Sequence, residues 1–289
     1  MSKLLNNIYV VNLDRSKDRL AKIDMNLKKY GLKYERFPAV DGKSLTEDEI
    51  NKSITSLCQY VLCNKSQVGC ALSHIKLWKM ISTSSEKWHL ILEDDLELND
   101  KTINFINKLE KSPLVNSNNT IISLWCTGPF CTDSFLHSNS IKDEQQLITK
   151  PFFPLGTVAY LITNDAAGKL YDYFEKNKIN YHVDYQLAYN LKDIGIEYYT
   201  VKEAIIQLDN SAESTITTSS SSITAKILNA IGLSKVSWYL SIPIMTFNLK
   251  YTISGFVLIF ILLLLLNVFI FHNKLIYIYT ILELLIAFF

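Results

Sequence analysis

The run HLILEDDLEL, residues 89 to 98, sets the tightest limit on what this chain can fold into. His89 to Leu92 is apolar without polar alternation, the pattern of a buried strand, and Glu93, Asp94 and Asp95 follow it directly. Open α/β sheets place their ligands at the carboxyl ends of strands. Three successive carboxylates there repel one another unless a cation relieves them. Along a strand, residues 93 and 95 point to one side and 94 to the other. One divalent ion would therefore be held by Glu93 and Asp95, or by Asp94 and Asp95 after a bend. Mg2+ or Mn2+ in that place would also neutralise a departing diphosphate by bridging carboxylate and phosphate oxygens. The competing reading is a solvated acidic turn, since Glu86, Glu97 and Asp100 share the neighbourhood.

The rest of the first 213 residues alternates strand and helix. IYVVNL at 8 to 13 reads as a buried strand, and SKDRLAKIDMNLKKY at 16 to 30 as a helix with Leu20, Ile23 and Leu27 on one face. Ser16 is its expected N-cap and Gly31 its stop. YERFPAVDG is a second strand running into a turn at Asp41-Gly42. A helix is predicted from Gly69 to Ile81, strands at 120–125 and 156–163, and a helix from an expected cap at Asn164. This alternation implies an α/β fold with a largely parallel sheet.

The 289 residues, 48% of them apolar, suffice for one sizeable core plus further apolar material. A net charge of +1 gives no reason to expect nucleic acid as partner. The five cysteines (Cys58, Cys63, Cys70, Cys126 and Cys131) include two C-x4-C pairs, and these are expected to be buried thiols in a reducing compartment. The opening MSKLLNNIYVVNLDRS is broken by Asn6 and Asn7 and does not read as a signal peptide.

Residues 254–271 carry no charge and as one helix would cover roughly 27 Å, close to a hydrocarbon core. A soluble helix keeps one polar face and this stretch has none, so a transmembrane anchor over 254–289 is expected. His272-Asn273-Lys274 interrupts it, and LIYIYTILELLIAFF follows, with Glu283 inside, as an interfacial helix, a re-entrant segment or a tilted span. STITTSSSS at 214–222 reads as a linker, and 223–253 as a helical segment at a membrane surface. Lys226, Lys235 and Lys250 precede the apolar run, which places the folded domain on the cytoplasmic face of an inner membrane.

VVNLDRSKDR at 10–19 ends a strand with polar groups and two arginines, able to meet a nucleoside and a phosphate. Arg15 and Arg19 are also placed to pair with Asp14 and Asp18 along a helix. There is no G-x-G-x-x-G after this strand and no phosphate-binding G-x-x-x-x-G-K-[ST], which argues against a dinucleotide site and a P-loop ATPase. Small residues open GCALSHIKLW at 69–78 and permit close backbone approach. A lone histidine such as His74 is more often a hydrogen-bonded core residue than a ligand.

YVVNLDRSKDR, AVDG, VGCALSHIKLW and LILEDD, in this order, resemble glycosyltransferase family 25. The resemblance continues through PFFPLGTVAYLITNDAAGKL, VDYQL and AIIQLDNSAESTI and covers roughly residues 6 to 216. It implies a GT-A-like, Rossmann-type sheet flanked by helices, a UDP-sugar donor (UDP-galactose or a close relative) and a divalent cation. Bacterial members build lipooligosaccharide and animal members glycosylate collagen, so the implied acceptor here is a lipid-linked glycan. On this resemblance Asn12, Arg15 and Arg19 serve the donor nucleotide. Asp41, Gly42, Gly69, Ser73 and His74 shape the same pocket, and Glu93, Asp94 and Asp95 take the place of the metal-binding motif.

An acceptor hydroxyl attacking an anomeric carbon needs a base. Asp184 is the candidate, with a helix N-cap as its competing and compatible role. His182 and Gln207 are lesser candidates for metal or sugar contact, and Asp165 is expected to be a first-turn acid. Two other readings stay open: a metal-dependent phosphohydrolase or nucleotidyltransferase, and a non-catalytic membrane scaffold.

Overall fold

Strand β1 (Ile8–Asn12) has buried residues on both faces. It leads into α1 (Lys17–Lys29), which buries Ile23 and Leu27 and stops where Gly31 takes a φ of 66°. This computed structural model describes residues 2–56, 58, 63–125, 148–151, 156–180, 182–208, 223–233, 236, 240, 243–247 and 251–288. It divides into two units, Met1–Thr55 with Lys65–Thr215, and Ser56–Asn64 with Ile216–Phe289.

In the first unit β2 (Glu35–Pro38), α2 (Glu47–Ser53), α3 (Lys65–Ser82) and β3 (Trp88–Glu93) follow in chain order. Next come β4 (Leu96–Leu98), α4 (Asp100–Glu110), β5 (Thr120–Ser123), β6 (Ile148–Thr149) and β7 (Ala159–Thr163). The unit closes with α5 (Asn164–Asn177), α6 (Val183–Ile194), β8 (Glu197–Val201) and β9 (Ile206–Leu208). Its main sheet runs β2-β1-β3-β7-β5-β8-β6. Strands β2, β1 and β3 are parallel, as are β5 and β8, while β7 and β6 run antiparallel to their neighbours. The sheet is therefore mixed α/β with five strands in one direction. That matches the expected α/β class with a largely parallel sheet, apart from the two reversed strands.

The reversal of β7 matters for position. Val11 of β1 lies opposite Glu93 of β3, and Leu92 lies opposite Ala159. The carboxyl ends of β1 and β3 thus share an edge with the start of β7. The expected strand 89–98 breaks in two at this edge: Asp94 and Asp95 form a turn, and β4 leaves the main sheet to pair with β9. Beneath it, Leu90, Leu92, Ile122 and Leu161 are fully buried in one cluster. The expected helix at 69–81 begins a turn earlier, at Lys65.

Gly42 and Gly69 pack backbone against backbone, which brings α3 onto the loop after β2. A Cβ on Gly69 would stand 2.6 Å from both Val40 O and Gly42 N. Ser73 completes the joint: its hydroxyl accepts from Val40 N at 2.8 Å and donates to Gly69 O at 2.7 Å.

The second unit departs most from expectation. The apolar stretch 254–271 is not one helix. Strand β11 (Tyr251–Ser254) pairs with β10 (Pro243–Phe247), so the segment expected to be helical at 223–253 is helical over α7 (Ile223–Ala230) but turns to strand at these two stretches. Helix α8 (Gly255–Leu266) follows, then a π-helical turn over Asn267–Phe271 and a left-handed His272. Helix α9 (Lys274–Phe288) returns alongside α8. Among the described residues no helix is long and apolar enough to cross a membrane, which leaves the expected transmembrane anchor without a spanning helix. The physical cause is at Asn267, whose side chain bonds Asn273 N at 2.8 Å and Asn273 O at 2.9 Å and turns the chain back. Cys58 and Cys63 form a disulfide, where free thiols were expected. Cys70 is free, and Cys126, Cys131 and the 214–222 linker lie outside the described residues.

Gly69→Ala is expected to destabilise the protein by about 1–3 kcal/mol, the usual cost of forcing extra volume into a packed contact. Gly168→Ala, in mid-helix with Ser82 Cβ 3.5 Å from the new methyl, is expected to be neutral or to stabilise by up to about 1 kcal/mol. Urea denaturation of the two variants beside the wild type checks the contrast.

Candidate functional site

The last residue of β1 organises the strand-end edge. Asn12 is 1% exposed. Its Oδ1 accepts from Arg36 Nε at 2.9 Å, and its Nδ2 donates to Asp94 Oδ2 at 2.6 Å and to Ser16 O at 3.0 Å. Because a guanidinium can only donate, the amide oxygen must face Arg36, and the amide N–H groups must then face Asp94. Arg36 also donates to Asn12 O at 3.1 Å. Strand β2 thus orients a side chain of β1 that in turn holds the turn after β3.

Arg19, one turn into α1, closes the other side. Its Nη1 lies 3.2 Å from Asp94 Oδ1 and 3.5 Å from Asp95 Oδ2. The two aspartates therefore share one side, the bent arrangement anticipated for a single cation. Burial is the main influence on both and raises both carboxyls; Glu93 adds to it, and Asp95 is pushed up to about 6. Arg15 and Asp41 form an ion pair, and Asp41 also accepts from Lys43 N at 3.0 Å.

Glu93 has a separate set of partners. Thr157, two residues before β7, donates to its Oε1 at 2.9 Å, and His74 Nε2 stands 3.6 Å from the same oxygen. Burial opposes its ionisation, but His74, Thr157 and His182 outweigh it and hold the carboxyl below its ordinary value. His74 is 1% exposed, and its Nδ1 lies 2.9 Å from the Tyr160 hydroxyl, which accepts from Trp78 Nε1 at 2.9 Å. If Tyr160 donates to His74 Nδ1, then Nε2 carries the proton and points it at Glu93. His74 is thus both a hydrogen-bonded core residue and a neighbour of the acidic end.

Asp184 lies in the first turn of α6, and the cap of that helix is His182, not Asp184 as expected. His182 Nδ1 accepts from Asp184 N at 3.3 Å and lies 3.5 Å from its Oδ2. Asp184 Oδ1 is buried without a hydrogen-bond partner among the described residues. Burial first, then the charge of Glu93, raise this carboxyl above its ordinary value.

Some expected residues stand elsewhere. Ser73 braces α3 and does not face the acids, and Gly42 and Gly69 set the backbone joint. Gln207 is exposed on β9 opposite Glu97, on the small ribbon beyond the turn. Asp165 is a first-turn acid of α5 and accepts from Asn119 N at 2.9 Å. Arg36, Thr157 and Tyr160 were not anticipated. The one sequence signal for Arg36 was an arginine inside a predicted strand next to β1.

Two metal-capable groupings result. Asp94 and Asp95 offer hard carboxylate oxygens on one side, the donor type of Mg2+ or Mn2+. Their shared contact with Arg19 shows that a positive group fits between them, so these residues suit such an ion. Cys70, His74 and Glu93 bring one ligand atom each within 4.8 Å of one another, a softer set of the kind zinc accepts. Burial, with Glu93 next, raises the Cys70 thiol well above its ordinary value.

The acid turn at the end of β3 thus lies beside an asparagine and two arginines on an α/β sheet. The family description "Glycosyltransferase family 25 (LPS biosynthesis protein)" matches residues 5–187, and the chain belongs to glycosyltransferase family 25. A family member from Drosophila melanogaster is 37% identical over 103 residues, covering 33% of this chain and 17% of that protein. A putative glycosyltransferase of Haemophilus influenzae is 22% identical over 248 residues, covering 80% and 86%. Procollagen galactosyltransferase 1-A of Xenopus laevis is 28% identical over 96 residues, covering 31% and 16%. The chain spans 16% of the length of the first two insect family members it matches. A solved glycosyltransferase involved in glycosylation of the major capsid of PBCV-1 aligns at TM-score 0.36 and 13% identity, over 71% of this chain and 94% of that one.

The raised Asp95 carboxyl makes stability pH-dependent. Native Asp95 keeps its proton up to about pH 6, whereas the unfolded carboxyl releases it near the ordinary aspartate value of about 4. Between those values the native state binds more protons, so metal-free stability falls as pH rises through the window, by on the order of 1–3 kcal/mol. Asp95→Asn is expected to remove that slope relative to wild type in urea denaturation between pH 4 and 6.5. Parallel curves for the two proteins would refute the buried, repelled Asp95.

Proposed function

We propose that this chain is a membrane-associated glycosyltransferase. It transfers a hexose, galactose first among candidates, from a UDP-sugar to a lipooligosaccharide or other lipid-linked glycan, with inversion and with a divalent cation. The observation that carries this reading is the Asp94–Asp95 turn at the carboxyl end of β3, held on one side by Asn12 and Arg19. Family membership supports transfer of a sugar, and the name of the Xenopus relative suggests galactose. The placement at the cytoplasmic face of a bacterial inner membrane rests on the lysines before the apolar stretch.

The residues divide the work. Asp94 and Asp95 would hold Mn2+ or Mg2+, and Arg15 and Arg19 would face the donor phosphates. The bound ion would supply charge neutralisation for the departing diphosphate. Asn12 keeps the turn in place and stands at the strand end where the nucleoside would lie. Asp184, with a buried Oδ1 that has no hydrogen-bond partner among the described residues and a raised carboxyl, would take the proton of the acceptor hydroxyl. That oxygen forms the new bond to the anomeric carbon as the bond to the UDP oxygen breaks. His182 holds Asp184 from the cap position, and His74 holds Glu93.

The test is UDP release from a panel of nucleotide sugars by the detergent-solubilised full chain, with and without a lipid-linked glycan acceptor, in Mn2+ and in EDTA. Turnover of one sugar nucleotide is expected, lost in EDTA and in Asp95→Asn, and reduced about 10^2–10^4-fold in Asp184→Asn, the usual worth of a general base. A folded protein that turns over none of the panel would refute the reading. Release of UDP independent of any acceptor would favour a phosphohydrolase.

A further inference from the structure

Helices α8 and α9 are apolar on their outer sides as well as inside. Helix α8 buries Phe256, Val257 and Phe260, and the polar Asn267 of the following turn and Thr280 and Glu283 of α9 are also buried, each 0% exposed. Glu283 Oε1 accepts from Thr224 N and Thr224 Oγ1, both at 2.7 Å, and from Tyr279 OH at 3.1 Å. The outer surface is apolar. Leu258, Leu262, Phe269, Leu275, Ile278 and Leu282 are all exposed, Phe269 and Leu275 to 75%. No Asp, Glu, Lys or Arg occurs between Lys250 and Lys274, and after Lys274 the sole charged side chain is the buried Glu283.

A helix in water buries an apolar stripe and shows a polar face. Here the exposed sides are leucine, isoleucine and phenylalanine, and the ionisable Glu283 is turned inward, its Oε1 hydrogen-bonded and its Oε2 without a partner among the described residues. Apolar side chains on the outside, with the ionisable group turned away from them, are the arrangement a hydrocarbon solvent imposes. A protein partner would need one apolar patch with a polar rim, and both helices are apolar well beyond any one patch. The connection is equally informative. Asn267 and the left-handed His272 reverse the chain in a few residues, so α9 runs back beside α8, with Phe260 and Tyr279 edge to face at 6.3 Å.

We infer that residues 255–288 enter a lipid layer as a helical hairpin, with both ends at the face of entry and Lys274 in the turn. The occupant of the exposed apolar surface is lipid acyl chain. This rests on the membrane association proposed above and deepens it, replacing a crossing anchor with a hairpin.

The test uses the full chain added to preformed, sealed vesicles of phosphatidylcholine alone in 1 M salt, followed by flotation. The wild type is expected to float. Leu262→Lys combined with Leu282→Lys, both on the outer surface, is expected to lower the floating fraction at least tenfold while the far-ultraviolet circular dichroism is unchanged. Protease added outside the floated vesicles is expected to remove an epitope tag placed after Phe289 together with the N-terminal domain. A tag protected inside the vesicles would overturn the hairpin while leaving membrane association standing. Failure to float would overturn both, whether the chain stays monomeric or a second copy covers the surface. Undiminished flotation of the double variant would show that lipid does not contact this surface, and would overturn the hairpin.

Discussion

One hydrogen bond, from Asn12 Nδ2 to Asp94 Oδ2 at 2.6 Å, joins the end of β1 to the turn after β3. Much of the first unit is arranged to make it. Arg36 leaves the Asn12 amide one orientation, and Arg19 meets the other oxygen of Asp94. Burying a carboxylate is expensive unless charge and hydrogen bonds offset the lost water. Here an amide and a guanidinium do so for Asp94, while Asp95 is left partly compensated. That inequality is what a cation-binding site requires: one carboxylate fixed in place, and its neighbour still gaining from a positive charge.

The reversed strand β7 gives the site its second side. A parallel neighbour would have brought its own carboxyl end to this edge. The antiparallel β7 instead brings the residues leading into it to this edge, and Thr157 among them bonds Glu93. Glu93 is thereby drawn toward His74, Cys70 and Asp184, while Asp94 and Asp95 remain with Arg19. Three consecutive carboxylates end up in two electrostatic settings: Glu93 lies below its ordinary value and Asp94 and Asp95 lie above. His74, held through Tyr160 and Trp78, is the residue that separates them.

The strands β1, β3, β5 and β7 and the helices α1 and α5 were legible in the sequence, because uninterrupted apolar runs and three-to-four-residue spacing survive in any context. The direction of β7 was not, since a buried five-residue strand reads the same either way. The break between Glu93 and Leu96 was masked by LEL, which continues the strand pattern although it pairs with another sheet. The acid turn was visible as composition, but its division into two settings depends on Thr157 and Arg36, both distant in sequence. His182 was read as a ligand candidate and not as a cap because imidazole caps are rare beside Ser, Thr, Asp and Asn. In the second unit hydropathy reported the apolar stretch correctly. It could not report the turn at Asn267 to Asn273, which is made by side-chain bonds inside a run of uniform hydrophobicity.

The central claim, that the Asp94–Asp95 turn is where a divalent ion and a nucleotide diphosphate meet, is tested most directly by calorimetric titration of UDP into the wild type and into Asp95→Asn. Each protein would be titrated with Mn2+ and again with EDTA. The account predicts that Mn2+ tightens UDP binding at least tenfold in the wild type and has little effect in the variant. Equal UDP affinity with Mn2+ and with EDTA in the wild type, or an undiminished Mn2+ effect in Asp95→Asn, would contradict it.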